Sequence, residues 1–199
     1  MIGLGERALA DTSNDINNPT RITLSEGSNF LTDTIALSGD ETLIPGTGDL
    51  DFFTLIVPEG LQLDSLLVSE TNELSSAFFG FAAGSTLAGN PAVEGPGRDA
   101  FIDQALGYTL LNLGSLNRNL LPELSTGQVT DQSIDPVRFD GNAPLGSGEY
   151  AFVLQNRQAD ELTFTFDVQT SATAVPEPTS AGLLLVFSGL GLLRRKRKA

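Results

Sequence analysis

The chain has 199 residues, 40% of them apolar, with 21 glycines and 10 prolines, a composition that suits one core of ordinary size plus a short appendage, built from short strands and turns rather than long helices. Its net charge of −14 is unevenly spread: Arg194, Arg195, Lys196, Arg197 and Lys198 hold five of the eleven basic residues, so residues 1–193 set six arginines against all 25 acidic residues, a net −19. So acidic a body repels phosphate backbones and disfavours nucleic acid as a partner, and the lack of any cysteine or histidine removes thiol and imidazole nucleophiles, thiolate metal sites and the usual zinc ligand sets.

At the N-terminus, Met1-Ile2-Gly3-Leu4-Gly5-Glu6-Arg7 lacks the cationic region and apolar core of an export signal. Ala8-Leu9-Ala10 before Asp11 has the small-x-small form of a signal-peptidase site. Two readings stay open: residues 1–19 carry the remnant of a signal-peptide region whose start lies upstream, or the match is chance.

Residues 20–170 read as a β-rich body. Short strands are expected over 21–24 and 34–38. Asp51-Phe52-Phe53-Thr54-Leu55-Ile56-Val57 is a strand stopped by Pro58-Glu59-Gly60, and residues 61–69 supply the returning strand. Further strands are expected over 77–82 and 107–112. Gly95-Pro96-Gly97 and residues 112–121 mark long loops within an insertion-like region, 83–147. Residues 148–155 are apolar on both faces and suit a central strand. Leu162-Thr163-Phe164-Thr165-Phe166-Asp167-Val168 alternates, with Leu162, Phe164, Phe166 and Val168 on one face. The turn Asn156-Arg157-Gln158-Ala159-Asp160 between them predicts a hairpin. The expected fold class is all-β, an antiparallel β-sandwich of the jelly-roll kind.

Two stretches of the body, residues 48–60 and residues 148–156 with the strand after them, resemble bacterial pre-peptidase C-terminal domains, small β-sandwiches appended to secreted proteases and surface proteins. The resemblance covers the strand framework of about half the body and departs from it over 83–147.

From Ser171 the composition changes. A Ser/Thr/Ala linker leads into Val175-Pro176-Glu177-Pro178, where the two prolines enforce an extended, accessible peptide. Residues 180–193 carry no charge and can follow a cap at Thr179 or Ser180. A helix over them spans about 21 Å, short of a hydrocarbon core of about 30 Å. The five cations after it belong on the cytoplasmic side of a membrane segment, where their long side chains snorkel and local thinning absorbs the mismatch. The expectation is a single short transmembrane helix bearing Ala181, Leu184, Phe187, Leu190 and Leu193, anchored by Arg194, Arg195, Lys196, Arg197 and Lys198.

The order of these three parts closely resembles the PEP-CTERM sorting signal of bacterial exported proteins. The resemblance implies that an exosortase, a membrane-embedded processing enzyme, recognises Pro176, Glu177 and Pro178. It further implies that the protein is exported, held transiently in the inner membrane, and released to the cell surface or exterior, often in exopolysaccharide-producing bacteria. Residues 171–199 are then the sorting region, and the triplet is a substrate of another enzyme.

Chemistry within the body is sparse. Asp49 and Asp51 stand beside glycine as Ca²⁺ ligands do, with Asp40, Glu41 or Asp64 as further donors, but the EF-hand spacing is absent and a turn capped by the aspartates is the stronger reading. Gly84-Ser85 and Gly114-Ser115 lack the nucleophile-elbow pattern. Phe78-Phe79-Gly80-Phe81 reads as core rather than sugar platform. No catalytic residue or obligatory cofactor is expected. The chain reads as a non-catalytic envelope or extracellular-matrix protein; the alternative is a module that binds exopolysaccharide through the sandwich loops.

Overall fold

Alternating apolar patterns become nine strands in the computed structural model, which describes residues 8–9, 12–35, 50–71, 77–91, 95–125, 139–141, 144–156 and 161–174. They are β1 Ala8–Leu9, β2 Thr20–Thr23, β3 Gly27–Ile35, β4 Leu50–Val57, β5 Leu61–Thr71, β6 Ala77–Ala83, β7 Ala105–Leu111, β8 Gly148–Asn156 and β9 Leu162–Ala172. One sheet has four strands in the order β1-β3-β9-β5, and the other five in the order β2-β4-β8-β6-β7. Neighbours are antiparallel except at one edge of each sheet, where β1 lies parallel to β3 and β2 parallel to β4.

The sheets face each other across a single large core, so the fold is an all-β, mainly antiparallel sandwich. Phe53, Phe79 and Phe152 of the five-stranded sheet meet Leu31, Leu66 and Phe166 of the four-stranded one. Phe152 is the hub: its ring centroid lies 5.1 Å from Phe53, 5.5 Å from Phe79 and 5.3 Å from Phe81. Phe79 and Phe166, 5.1 Å apart, join the two sheets. Stacked rings of this kind add specific attraction to the area they bury.

A second apolar cluster lies on the outer face of the five-stranded sheet, where Phe52, Phe78, Tyr108 and Val153 are covered by Leu87, Ile16 and Phe101. Phe101 belongs to α1, Pro96–Gln104, and is 1% exposed. Gly80 makes this packing possible, since a Cβ there would stand 2.7 Å from Phe101 Cζ. The tetrad Phe78-Phe79-Gly80-Phe81 is therefore core on both faces, as its composition suggests: Phe79 and Phe81 point between the sheets and Phe78 points under α1. Residues 12–19 also dock on this sheet, with Ser13 and Phe52 exchanging backbone hydrogen bonds of 3.2 and 2.6 Å.

Several expectations need correction. The turn at Pro58-Glu59-Gly60 forms, with Leu61 N–H donating to Pro58 O at 3.1 Å and Gly60 at φ 82°, but β4 and β5 lie in different sheets. Likewise β8 and β9 are no hairpin: β8 pairs with β4 and β6, and β9 pairs with β3 and β5. The reason is in their side chains. A strand apolar on both faces suits a sheet covered on both sides, whereas an alternating strand suits a sheet with one face open, so the two cannot share a sheet here. The strand expected over 34–38 begins earlier, as β3, and of it only residues 34–35 are described.

The loops expected at Gly95-Pro96-Gly97 and over 112–121 are partly helical. Pro96 opens α1, where its missing N–H costs nothing. A 3₁₀ turn, Leu113–Ser115, is followed by α2, Leu120–Leu124, capped by Asn119. Pro122 falls in the first turn of α2, which tolerates it. The sorting triplet, the expected transmembrane helix and the basic tail lie outside the described residues, among which no helix is long and apolar enough to cross a membrane.

Candidate functional site

The two sheets differ in what they show to solvent. The outer face of the five-stranded sheet is buried under α1 and its flanking segments, whereas the outward residues of β3 and β9 in the four-stranded sheet are exposed or half-buried apart from Thr165, which is 7% exposed. On that open face β3 presents Ser28, Phe30, Thr32 and Thr34, and β9 presents Thr163, Thr165, Asp167, Gln169 and Ser171. Register sets them in rows: Thr34 opposite Thr163, Thr32 opposite Thr165, Phe30 opposite Asp167, and Ser28 opposite Gln169. On β5, Leu67 extends the Phe30–Asp167 row and Ser65 the Ser28–Gln169 row. Rows in such a sheet are about 7 Å apart along a strand, and neighbours across strands stand about 5 Å apart.

Hydrogen bonds hold the grid. Thr32 and Thr165 hydroxyls are 3.0 Å apart, and those of Thr34 and Thr163 are 2.9 Å apart. Gln169 Nε2 donates to Ser28 Oγ at 2.7 Å and to both Asp167 carboxylate oxygens at 2.7 Å. Ser28, Thr32 and Thr34 are exposed, while Phe30, Asp167 and Gln169 are half-buried. Of the outward residues on β3 and β9, Asp167 is the one that carries charge, in a chain with 25 acidic residues.

The residues singled out from sequence fall elsewhere. Pro176, Glu177 and Pro178, the membrane segment and the cationic residues 194–198 lie outside the described residues, as do Asp40, Glu41 and Asp49. Asp51 is 8% exposed near the start of β4, in the five-stranded sheet. Asp64 belongs to β5 in the other sheet, where its carboxylate accepts from Gln62 Nε2 at 2.8 Å. Asp51 and Asp64 thus lie in different sheets. Among the described residues no three acidic side chains converge.

The two serines weighed from sequence hold neighbouring segments together. Ser115 is 2% exposed and donates to Glu123 Oε2 at 3.2 Å, tying the 3₁₀ turn to α2. Ser85 supplies a backbone carbonyl to Thr54 Oγ1 at 2.8 Å. Burial raises the Tyr108 and Tyr150 hydroxyls above their ordinary value; Tyr150 donates to Gly146 O at 3.0 Å.

Sequence reading missed Thr32 because β3 was expected to begin at residue 34, and with it the facing threonine rows. The signal was present as Thr32-x-Thr34 and Thr163-x-Thr165, two threonine pairs at strand spacing. No protein-family model, curated protein or solved structure matches the chain.

Proposed function

We propose that this chain is an exported, non-catalytic protein of the bacterial envelope or extracellular matrix, carried there by a C-terminal signal of the PEP-CTERM kind. The observation that carries the reading is the succession of Pro176-Glu177-Pro178, an uncharged apolar run over 180–193, and five cations at 194–198. Each part has its own physical role: an extended peptide for an exosortase to grip, a short membrane span, and a cytoplasmic anchor.

The body belongs with this role as a rigid cargo. Its strand order supports a jelly roll: β3 pairs with β9, β4 with β8, and β6 with β7, as in a long ribbon rolled into two sheets. The outer edge of β5 is flanked by Leu116, Asn119 and Leu145 through isolated bridges, where a further strand would complete the roll. The two stretches similar to pre-peptidase C-terminal domains contain β4 and β8, which are direct neighbours with Leu50 opposite Gln155 and Val57 opposite Gly148. That adjacency supports the resemblance.

The test is mass spectrometry of surface extracts from a host that possesses an exosortase. The expected mature protein ends near the triplet and lacks Arg194–Lys198, and replacing Pro176-Glu177-Pro178 with alanines leaves the tail attached and the protein in the membrane fraction. A wild-type protein that reaches the surface with its tail intact overturns the reading.

A further inference from the structure

We propose that the open face of the four-stranded sheet is a binding platform for a neutral polysaccharide, with Phe30 as the surface on which a sugar ring lies and Ser28, Thr32, Asp167 and Gln169 as partners for its hydroxyls. The alternative weighed from sequence puts such binding on loops; the geometry points to the sheet itself.

Three observations converge. The first is chemical content. A pyranose has apolar C–H faces and a rim of hydroxyls that each donate and accept, and the central rows offer both kinds of partner: Phe30 beside Asp167, with the amide and hydroxyls of Gln169, Ser28 and Thr32 around them. Thr32 is exposed and its hydroxyl pairs with that of Thr165, which is 7% exposed, so Thr32 is the member of the pair that faces a ligand. Asp167, held at both oxygens by Gln169, keeps further lone pairs for vicinal sugar hydroxyls.

The second is pre-organisation. Cross-strand hydrogen bonds fix the threonine rows and the Ser28–Gln169–Asp167 chain, so little side-chain freedom is lost on binding. The repeat along the strands, about 7 Å between rows, suits an extended chain that touches several rows in succession.

The third is charge. The body carries a net −19 over residues 1–193, which repels uronate-bearing polymers, and β3 and β9 turn no cation outward to offset it. A neutral glycan meets no such barrier. A second copy of this chain is a poor occupant, since each copy is net −14 and among the described side chains of these rows Phe30 and Leu67 are the apolar ones, whereas stable dimers bury larger apolar patches.

The proposal rests on the reading of the chain as a protein of a polysaccharide-rich exterior, yet binding in vitro does not depend on sorting. A retained tail with intact glycan binding sinks the sorting reading alone, and a processed tail without glycan binding sinks this proposal alone. The experiment is affinity electrophoresis of the full chain in neutral detergent, through gels containing hydroxyethyl cellulose, dextran or alginate. Retardation is expected in at least one of the two neutral gels and none in alginate. Thr32→Glu with Thr34→Glu, which places charge on exposed positions of the platform, is expected to weaken retardation at least tenfold. Gln169→Ala, which adds no charge, is expected to weaken it severalfold. Thr23→Glu, exposed on β2 of the other sheet, serves as the control and leaves retardation unchanged. Circular dichroism melts identify which variants are folded. Absence of retardation in both neutral gels, retardation confined to alginate, or undiminished retardation of a folded platform variant overturns the proposal. So does a concentration-dependent dimer, seen by sedimentation velocity without glycan, that the Thr32→Glu, Thr34→Glu protein fails to form.

Discussion

Tyr108 shows how one side chain can work against the core that holds it. It is 3% exposed beneath α1, its ring centroid is 6.2 Å from that of Phe78, and its hydroxyl has no hydrogen-bond partner among the described residues. A buried orphan hydroxyl costs about 1–3 kcal/mol. Tyr108→Phe keeps the ring and removes the orphan, so it is expected to raise the unfolding free energy by about 1–2 kcal/mol in urea titrations at pH 7; equal or lower stability contradicts this account. Alkaline pH provides a second reading of the same residue. Burial raises the Tyr108 and Tyr150 hydroxyls above 10.0, so the unfolded chain loses these protons first. Their contribution is complete below about pH 10 and falls as pH climbs through the folded-state values. Tyr108→Phe should therefore lose less stability than the wild type between pH 9 and pH 11.

At the scale of elements, the strand patterns report which sheet each strand occupies. β6 and β8 lie inside the five-stranded sheet and bury both faces, while β9 buries Leu162, Phe164, Phe166 and Val168 and turns Thr163, Asp167 and Gln169 outward. The strands were legible because period-two alternation and apolar runs are local. Their partners were not, because residues adjacent in sequence, such as those of β8 and β9, separate when each strand seeks the environment that fits its two faces. α2 was harder to read, being five residues long, too short to develop a periodic pattern. Its anchor is Asn119. That side chain accepts from Leu121 N–H at 3.1 Å as the helix cap, and from Leu66 N–H of β5 at 3.2 Å. One amide thus serves the helix and the sheet edge together. Asn119→Ala is expected to cost about 1–2 kcal/mol by chemical denaturation, with faster hydrogen exchange at Leu66 and Leu121; a loss at Leu121 alone refutes the link to β5.

At the scale of the whole molecule, charge is the dominant global property. A chain with net −14 repels itself when compact, and added salt relieves that repulsion. Raising ionic strength from 10 mM, where screening extends about 30 Å, to 150 mM, where it extends about 8 Å, is expected to raise the melting temperature by about 2–4 °C, the shift that roughly 1 kcal/mol produces in a chain of this size. A melting temperature that is flat or falls over this range removes self-repulsion as a determinant of stability.

Sequence alone determined the β class, the positions of most strands, the core role of Phe79 and Phe81, and the three-part C-terminus on which the proposed sorting rests. These depend on composition, local periodicity and the order of charges along the chain, all of which survive without knowledge of contacts. The tertiary structure alone decided which strands share a sheet, that one sheet is covered on both faces, and that Thr32, Thr165, Phe30, Asp167 and Gln169 form one surface. Phe30 and Thr32 lie far in the chain from Thr165, Asp167 and Gln169. Only the antiparallel register of β3 against β9 brings them side by side, and register follows from burying one face of each strand against a common core.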